Sequence, residues 1–220
     1  MTHTLRPYPL PSEIVDQLQQ LLRARRGLAQ ALTSLQQRRA PLPRAASYLD
    51  AAMAGLRGQL EALDEEIAVL VADQEAFPTV AKLDAVPGIA TLTAATVAAC
   101  LHARQFQRPD QFVAYIGLDL RVRDSGQQRG RRTLSHQGDA EVRRVLYLAA
   151  QANIRCKHSP FREQYERECA KGLTGTQALC AVARKLARVC WSLVKHDATY
   201  DPARVHQQPP KKATSQPVSA

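Results

Sequence analysis

Glycine and aromatic residues are scarce in this sequence. Its 220 residues include 10 glycines, and aromatic side chains make up 5% of the chain although 45% of residues are hydrophobic. Much of the hydrophobic share is alanine and leucine, which favour helices, whereas sheets are rich in β-branched and aromatic residues. The composition therefore predicts an all-α protein, long enough for one or two domains with a sizeable core.

Paired cysteines and long apolar runs are also missing. The five cysteines are odd in number and lack the spacing of a metal site, so we expect reduced, mostly buried thiols at Cys100, Cys156, Cys169, Cys180 and Cys190. No apolar run reaches the roughly 18 to 20 residues needed to cross a bilayer, and the first residues lack an apolar signal region. We expect a cytoplasmic protein with no membrane partner.

Positive charge is concentrated in the second half of the chain. The formal net charge is +10, and residues 1–80 carry 8 basic and 9 acidic side chains, whereas residues 81–220 carry 22 and 11. Such an excess indicates a polyanionic partner, either nucleic acid or an acidic protein surface. The basic residues are spread over a loop and several helices, a distribution that disfavours a single membrane-surface helix.

Two leucine-rich segments follow a leader at residues 1–11. Ser12 can cap a first helix, which carries Arg25 at one core position, and the Pro-rich residues 40–47 separate it from a second helix. In the second helix, apolar residues recur at spacings of 4 and 3 from Leu49 to Leu70. Residues 12–76 are therefore predicted to form an antiparallel coiled-coil hairpin, whose seam either joins another chain or packs on its own domain.

A compact helical domain is predicted for residues 77–200, and it begins near the turn VPGIA at residues 86–90. A short helix, this turn and a second helix are similar to a helix-hairpin-helix, in which a glycine turn approaches a phosphate and helix N–H groups bind it. Gly88 and Ile89 are thus candidate nucleic-acid contacts. The alternative is a turn that only packs in the core, and Ala90 stands where the motif has a second glycine.

The most basic segment, residues 121–132, reads RVRDSGQQRGRR. Guanidinium forks match phosphate oxygens, and a glycine beside Ser125 lets the backbone approach a strand. The candidate nucleic-acid contacts are Gly126, Arg121, Arg123, Arg129, Arg131 and Arg132, with Arg143 and Arg144 on the next helix. From the residues alone, Ser125 is either a phosphate clamp or a nucleophile, because a serine hydroxyl attacks a phosphate only with a base, a metal or a strong cationic field.

The C-terminal part of the chain adds a second basic element. The last helix, predicted at residues 176–195, carries a stripe of Arg184, Arg188 and Lys195, which is either a solvated face or part of the same basic surface. Residues 201–220 are polar and of low complexity and are predicted to form a disordered tail.

Several motifs, in this order, resemble the C-terminal part of the insertion-sequence-110 (116/902) transposases: VPGIA-TLTAAT, QFVAYIGL, RVRDSG-RGRR, EVRRVLYLAAQANIR, FREQYERECAKG and ALCAVARKLARVCWSLV. The resemblance runs from about residue 83 to residue 195. It implies that Ser125 is a recombinase nucleophile that becomes covalently linked to a DNA phosphate, with Ser135 as a second candidate. It also implies DNA and a guide RNA as partners, and a homo-oligomer or an intact transposase joined through the coiled coil.

One departure from the family pattern affects the chemistry. Family members begin with an RNase H-like domain whose four acidic residues hold a divalent metal, and this sequence starts where that domain would have ended. We therefore expect no metal or cofactor bound by this chain, and Mg²⁺ only with an acidic domain supplied in trans. Asp119 and Asp124 are expected to pair with arginines, and the alternative is that they are metal ligands.

The resemblance thus implies a truncated or split transposase that is inactive alone. The alternative is a non-catalytic nucleic-acid-binding accessory or a decayed remnant. From its charge alone, the chain could also be a scaffold that docks an acidic protein.

Overall fold

Helices make up nearly all the regular structure of this chain. The computed structural model describes residues 12–73, 77–122 and 132–205. Its elements are α1 (Glu13–Arg39), α2 (Ala46–Ala72), α3 (Pro78–Asp84), α4 (Thr91–Ala103), α5 (Pro109–Tyr115), β1 (Leu120–Val122), β2 (Arg132–Leu134), α6 (Ala140–Arg155), α7 (Pro160–Ala170) and α8 (Gly175–Lys195). The predicted all-α class is confirmed, and the short β1–β2 ribbon is an addition to it.

The first two helices form an antiparallel hairpin. Two ion pairs cross between them, Arg25 with Asp64 and Arg39 with Asp50. In the second pair, Arg39 Nη2 lies 2.9 Å from Asp50 Oδ2. Arg25 and Arg39 are as far apart along α1 as Asp50 and Asp64 are along α2, as a constant antiparallel register requires. Arg25 interrupts the apolar pattern of α1, and its Nη2 donates to Asp64 Oδ2 at 2.9 Å, so the charge at this position is paired.

The base of the hairpin belongs to the main core. Val15 and Leu18 of α1 and Ile67 and Val71 of α2 are buried in the same cluster as α4, and both helices contact α4. Further along α2, Leu56, Leu60 and Leu63 are half-buried, and Met53 is buried again at 3% exposure. The leucine seam is thus covered to a large extent within the chain itself.

Helix α4 is the centre of the helical body. Its eight residues from 94 to 101 are all buried, and α1, α2, α3, α6 and α8 contact it. Alanine is the commonest residue in this segment, and small side chains allow neighbouring helices to approach on every side. This explains why α4 lacks the polar face that a surface helix would have.

Helix α8 packs across the other side of this body and contacts α3, α4, α5, α6 and α7. Its first turn is fixed by a capping box, in which Gln177 N–H donates to the Thr174 hydroxyl at 3.4 Å and the Gln177 side chain accepts from Thr174 N–H at 3.0 Å. Val182, Leu186 and Cys190 are buried on the inner face. None of the described helices is both long and apolar enough to cross a membrane.

The segment after α8 is more ordered than the sequence suggests. Pro202–Arg204 form a 3₁₀ turn, in which the Asp201 carboxylate accepts from Ala203 N–H at 2.9 Å, and Val205 is only 3% exposed. Residues 201–205 therefore differ from the predicted disordered tail, because the turn returns an apolar side chain to the core. The leader at residues 1–11 and residues 206–220 lie outside the described part.

Leu63→Lys should destabilise the hairpin, because the charged group would replace a half-buried side chain of the α2 seam. We expect a loss of about 1–3 kcal/mol in the free energy of unfolding, measured by urea denaturation. The matched control is Val69→Lys on the same helix, where the side chain is 76% exposed and the change should stay within about 0.5 kcal/mol. If Leu63→Lys instead turns an oligomer into a stable monomer in sedimentation, the seam joins separate chains.

Candidate nucleic-acid interface

The arginine-rich segment is held at both ends by a two-stranded ribbon. Strands β1 and β2 pair antiparallel with Leu120 opposite Leu134, Arg121 opposite Thr133 and Val122 opposite Arg132. Arg121 and Arg132 therefore lie in the strands. The remaining predicted contacts of this segment, Arg123, Gly126, Arg129 and Arg131, and the candidate nucleophile Ser125, lie outside the described residues.

Hydrogen bonds continue below the ribbon and fasten it to α5 and α6. His136 N–H donates to Gly117 O at 3.2 Å, and Asp139 N–H donates to Tyr115 O at 3.2 Å. Gly117 has φ +71°, and a Cβ there would lie 2.5 Å from Gln137 O, so only glycine fits between these two segments. The base of the ribbon is consequently built into the body rather than attached by a free linker.

Arg143 has a structural partner at this base. Its Nη1 donates to the carbonyl of Ile116 at 2.9 Å, and the side chain is half-buried. The carbonyl belongs to the residue that follows α5, so the guanidinium satisfies a group at the end of that helix. Arg143, predicted as a nucleic-acid contact, thus helps to fix the position of the ribbon.

Ser135, the second candidate nucleophile, lies directly after β2. Its N–H donates to Asp119 O at 3.1 Å, and its hydroxyl donates to the Asp119 carboxylate. Asp119 thus has a hydrogen-bond partner in Ser135, and its predicted pairing with an arginine of residues 121–132 stays a prediction. These two hydrogen bonds join Asp119, the residue before β1, to Ser135, the residue after β2, at the base of the ribbon.

Arg144 points along the surface at the start of α6. Its Nε donates to Glu141 Oε2 at 3.0 Å, and Arg26 of α1 lies 3.4 Å from the same carboxylate. The hydrogen bond from Arg144 lowers the pKa of Glu141 below its usual value. Because the Arg144 side chain is 52% exposed, part of its guanidinium is available to a ligand even though it is paired.

A cavity of about 320 Å³ opens between α1, α4 and the start of α6. Arg23, Arg26 and Arg104 line it together with Tyr115, and the Arg104 guanidinium lies 4.4 Å from the centre of the Tyr115 ring. Since the Tyr115 carbonyl is bonded to Asp139, the cavity adjoins the base of the ribbon. These three arginines have no signature in the sequence, because residues far apart along the chain form the cavity.

The predicted helix-hairpin-helix turn faces inward. Gly88 has φ +76°, and a Cβ there would lie 2.4 Å from Asn153 Nδ2 and 2.8 Å from Ala149 O. Ile89 is 4% exposed, and its N–H donates to Val86 O at 3.0 Å. Glycine is therefore needed at this turn for close contact with α6, and a phosphate contact through Gly88 or Ile89 stays a prediction.

The expectation of mostly buried cysteines is correct for only two of the five. Cys100 and Cys190 are buried, Cys169 and Cys180 are half-buried and Cys156 is exposed. Burial raises the pKa of the Cys100 and Cys190 thiols to about 12, which leaves them unreactive near neutral pH. Among the described residues, no group of three or more His, Cys, Asp or Glu side chains is placed to hold a metal ion.

Fold and site together define a basic helical protein that carries an arginine-rich segment on a short ribbon. Residues 80–166, from α3 into α7 and including the ribbon, match the family described as Transposase IS116/IS110/IS902 family. In this part, the chain is similar to members of that family.

Similar proteins come from three bacteria. A Pseudomonas aeruginosa protein named "Probable family 20 transposase" is 30% identical over 193 residues, which cover 83% of this chain and 56% of that protein. The "Insertion element IS900 uncharacterized 42 kDa protein" of Mycobacterium paratuberculosis is 34% identical over 98 residues, or 44% of this chain and 24% of that protein. The "Insertion element IS116 uncharacterized 44.8 kDa protein" of Streptomyces clavuligerus is 28% identical over 93 residues, or 42% of this chain and 23% of that protein. The chain thus spans about half the length of the first relative.

Gly88→Ala should lower the free energy of unfolding by about 2–4 kcal/mol, because it combines an unfavourable φ with a steric overlap at Asn153. The matched control is Gly172→Ala, which has φ +89° but no atom within 4 Å of the added Cβ and should cost about 1–2 kcal/mol. Equal losses for the two variants in urea denaturation would contradict the packing role. Weaker DNA binding by Gly88→Ala at unchanged stability would instead support the phosphate role.

Proposed function

We propose that this chain is the nucleic-acid-binding and serine-bearing part of an insertion-sequence transposase. The observation that carries the proposal is the Ser125–Gly126 pair among five arginines, in a segment that lies within the family match and between two paired strands. DNA is the substrate, and a guide RNA and a further transposase chain are the proposed partners. The charge of residues 81–220 supports a polyanionic substrate.

Ser125 is the proposed nucleophile. A bond forms between its Oγ and a DNA phosphorus while the bond from that phosphorus to a sugar oxygen breaks. The serine hydroxyl gives up its proton, and the leaving sugar oxygen takes one, so the enzyme and the cut strand are joined by a phosphodiester. Guanidinium groups of residues 121–132 stabilise the negative charge that builds up on the phosphate oxygens.

Metal chemistry is not assigned to this chain. The Asp119 carboxylate accepts a hydrogen bond from Ser135, and no acidic cluster accompanies it in the described residues. The described residues around Asp119 therefore do not form a set of ligands for a divalent ion. In the proposed assembly, an acidic domain supplied in trans holds the Mg²⁺.

A non-catalytic role is the second candidate. Arg143 is bonded to Ile116 O, and Arg144 is paired with Glu141, so two of the predicted contacts already serve the fold. A chain that binds nucleic acid through the remaining arginines, without cutting it, would act as an accessory of an intact transposase. The two functions differ in whether a covalent adduct forms.

Ser125→Ala should abolish covalent attachment to DNA while leaving DNA binding intact, because it removes one oxygen and keeps all five arginines. The chain is mixed with a separately expressed acidic domain of a family member, matched DNA and RNA, and the adduct is detected on an SDS gel. Wild type and the control Ser135→Ala should both form the adduct.

Three other results would change the proposal. An adduct with Ser125→Ala but not with Ser135→Ala makes Ser135 the nucleophile. DNA binding without any adduct favours the non-catalytic role, and a wild-type protein that binds no nucleic acid overturns both functions.

A further inference from the structure

One nitrogen on α8 has an unusual environment. The Nε atom of Arg184 is buried and has no hydrogen-bond partner in the part of the chain that the structure describes. Buried polar groups are almost always paired, because an unpaired donor loses its hydration without compensation. A donor of this kind, on a charged side chain that is half-buried, is suited to an acceptor that the described residues do not supply.

The acidic neighbours of Arg184 are engaged elsewhere. Glu168 on α7 and Asp119 before β1 both act electrostatically on the guanidinium. Glu168 accepts a hydrogen bond from Lys171 Nζ at 3.0 Å, and Asp119 accepts one from the Ser135 hydroxyl. The fold therefore places two carboxylates near Arg184 without giving its Nε an acceptor.

Positive charges are crowded around this position. Burial lowers the pKa of Lys185, and Arg188 and Arg167 lower it further. Burial and the charge of Arg188 likewise lower the pKa of Arg184. Close cations of this kind repel one another, and a bound anion relieves that repulsion.

We propose that Arg184, Lys185 and Arg188 on α8 bind a phosphodiester group of the nucleic acid, with the Arg184 guanidinium as the central ligand. The Nε and Nη groups of an arginine form a planar fork that fits two oxygens of one phosphate. This site rests on the proposed nucleic-acid function and adds a surface that the family resemblance did not assign.

The position of the Arg184 site in the fold indicates where it would hold a phosphate of the nucleic acid. The Asp119 carboxylate acts electrostatically on the Arg184 guanidinium, and Asp119 directly precedes β1. Arg188 pairs with Asp110 of α5, its Nη2 being 2.9 Å from Oδ1, and Asp110 is 75% exposed. A phosphate at Arg184 would thus be held on α8 within electrostatic reach of Asp119, the residue before β1.

The test is the salt dependence of binding for wild type, Arg184→Gln and Arg162→Gln. Binding of labelled duplex DNA, single-stranded DNA and single-stranded RNA is followed by fluorescence anisotropy over a series of salt concentrations. Arg184→Gln should reduce the slope of log K against log salt by about 0.9 for a duplex or about 0.7 for a single strand. The control removes the same charge at Arg162, which pairs with Glu166 of its own helix, and should leave the slope unchanged.

Two further variants separate charge, geometry and folding. Arg184→Lys keeps the charge and loses the fork, so the slope should be kept while affinity falls severalfold. Arg184→Met removes the unpaired buried nitrogen, so it should bind more weakly yet unfold at a higher temperature than wild type. These variants keep the test decisive if Arg184→Gln does not fold.

The outcomes distinguish this site from the function on which it rests. An unchanged slope for Arg184→Gln, with tight binding by wild type, overturns the site and leaves the proposed function standing. A wild-type slope near zero with all three nucleic acids removes the proposed function itself. If poly-glutamate binds wild type as tightly as DNA and Arg184→Gln loses that binding, the ligand is an acidic protein and the phosphate site is wrong.

Discussion

The buried amide of Asn153 joins three parts of the helical body. Its Nδ2 donates to Pro87 O at 2.5 Å and to Ala149 O at 2.9 Å, while its Oδ1 accepts from the Ser159 hydroxyl at 2.7 Å. The side chain is fully buried, so an apolar replacement would remove the donor that Asn153 supplies to the Pro87 carbonyl. One residue of α6 therefore fixes the turn before α4 and the N-cap of α7.

The position of the ribbon follows from this arrangement. Helix α6 is held against α4 and α7 at its C-terminal end, and its first turn is capped by Asp139, whose carboxylate accepts from Glu141 N–H at 2.9 Å. Asp139 in turn donates to Tyr115 O, and Arg143 bonds to Ile116 O. The arginine-rich segment thus starts from a base that is rigidly connected to the core.

The arginines of this chain serve two different purposes. Arg25, Arg143 and Arg144 have protein partners that hold helices or the ribbon in place. Arg184 differs, because its Nε has no partner among the described residues and the charge of Arg188 acts on it and lowers its pKa further than burial does alone. Net charge alone cannot separate these roles, since it counts a paired arginine and an unpaired one equally.

Local sequence patterns predicted the helices and much of the hairpin. The 4 and 3 spacing of α2, the proline and glycine positions around α5, and the cap of α7 at Ser159 all depend on neighbours along the chain. The β1–β2 ribbon was missed because each strand has three residues, too few for an alternating pattern to be distinguished.

Contacts between residues that are far apart in the sequence explain the other differences between the sequence-based predictions and the structure. Gly88 is a candidate phosphate contact in the sequence, with core packing as the alternative. In the structure it lies against Asn153, whose Nδ2 binds the Pro87 carbonyl, 66 positions earlier in the chain. Arg25 occupies an apolar position of α1 because its charge is paired with Asp64 on α2, a contact that the local sequence of α1 does not show. The role of Ser125 depends on family resemblance, because chemistry at a serine requires partners that no local pattern specifies.

Hydrogen–deuterium exchange of the whole chain, with and without duplex DNA, tests the central claim most directly. We expect DNA to slow exchange in peptides that cover residues 119–135 and the middle of α8, because both belong to the proposed binding surface. Peptides that cover the hairpin tip should exchange at unchanged rates. Protection confined to the hairpin, with none at residues 119–135, would contradict the account.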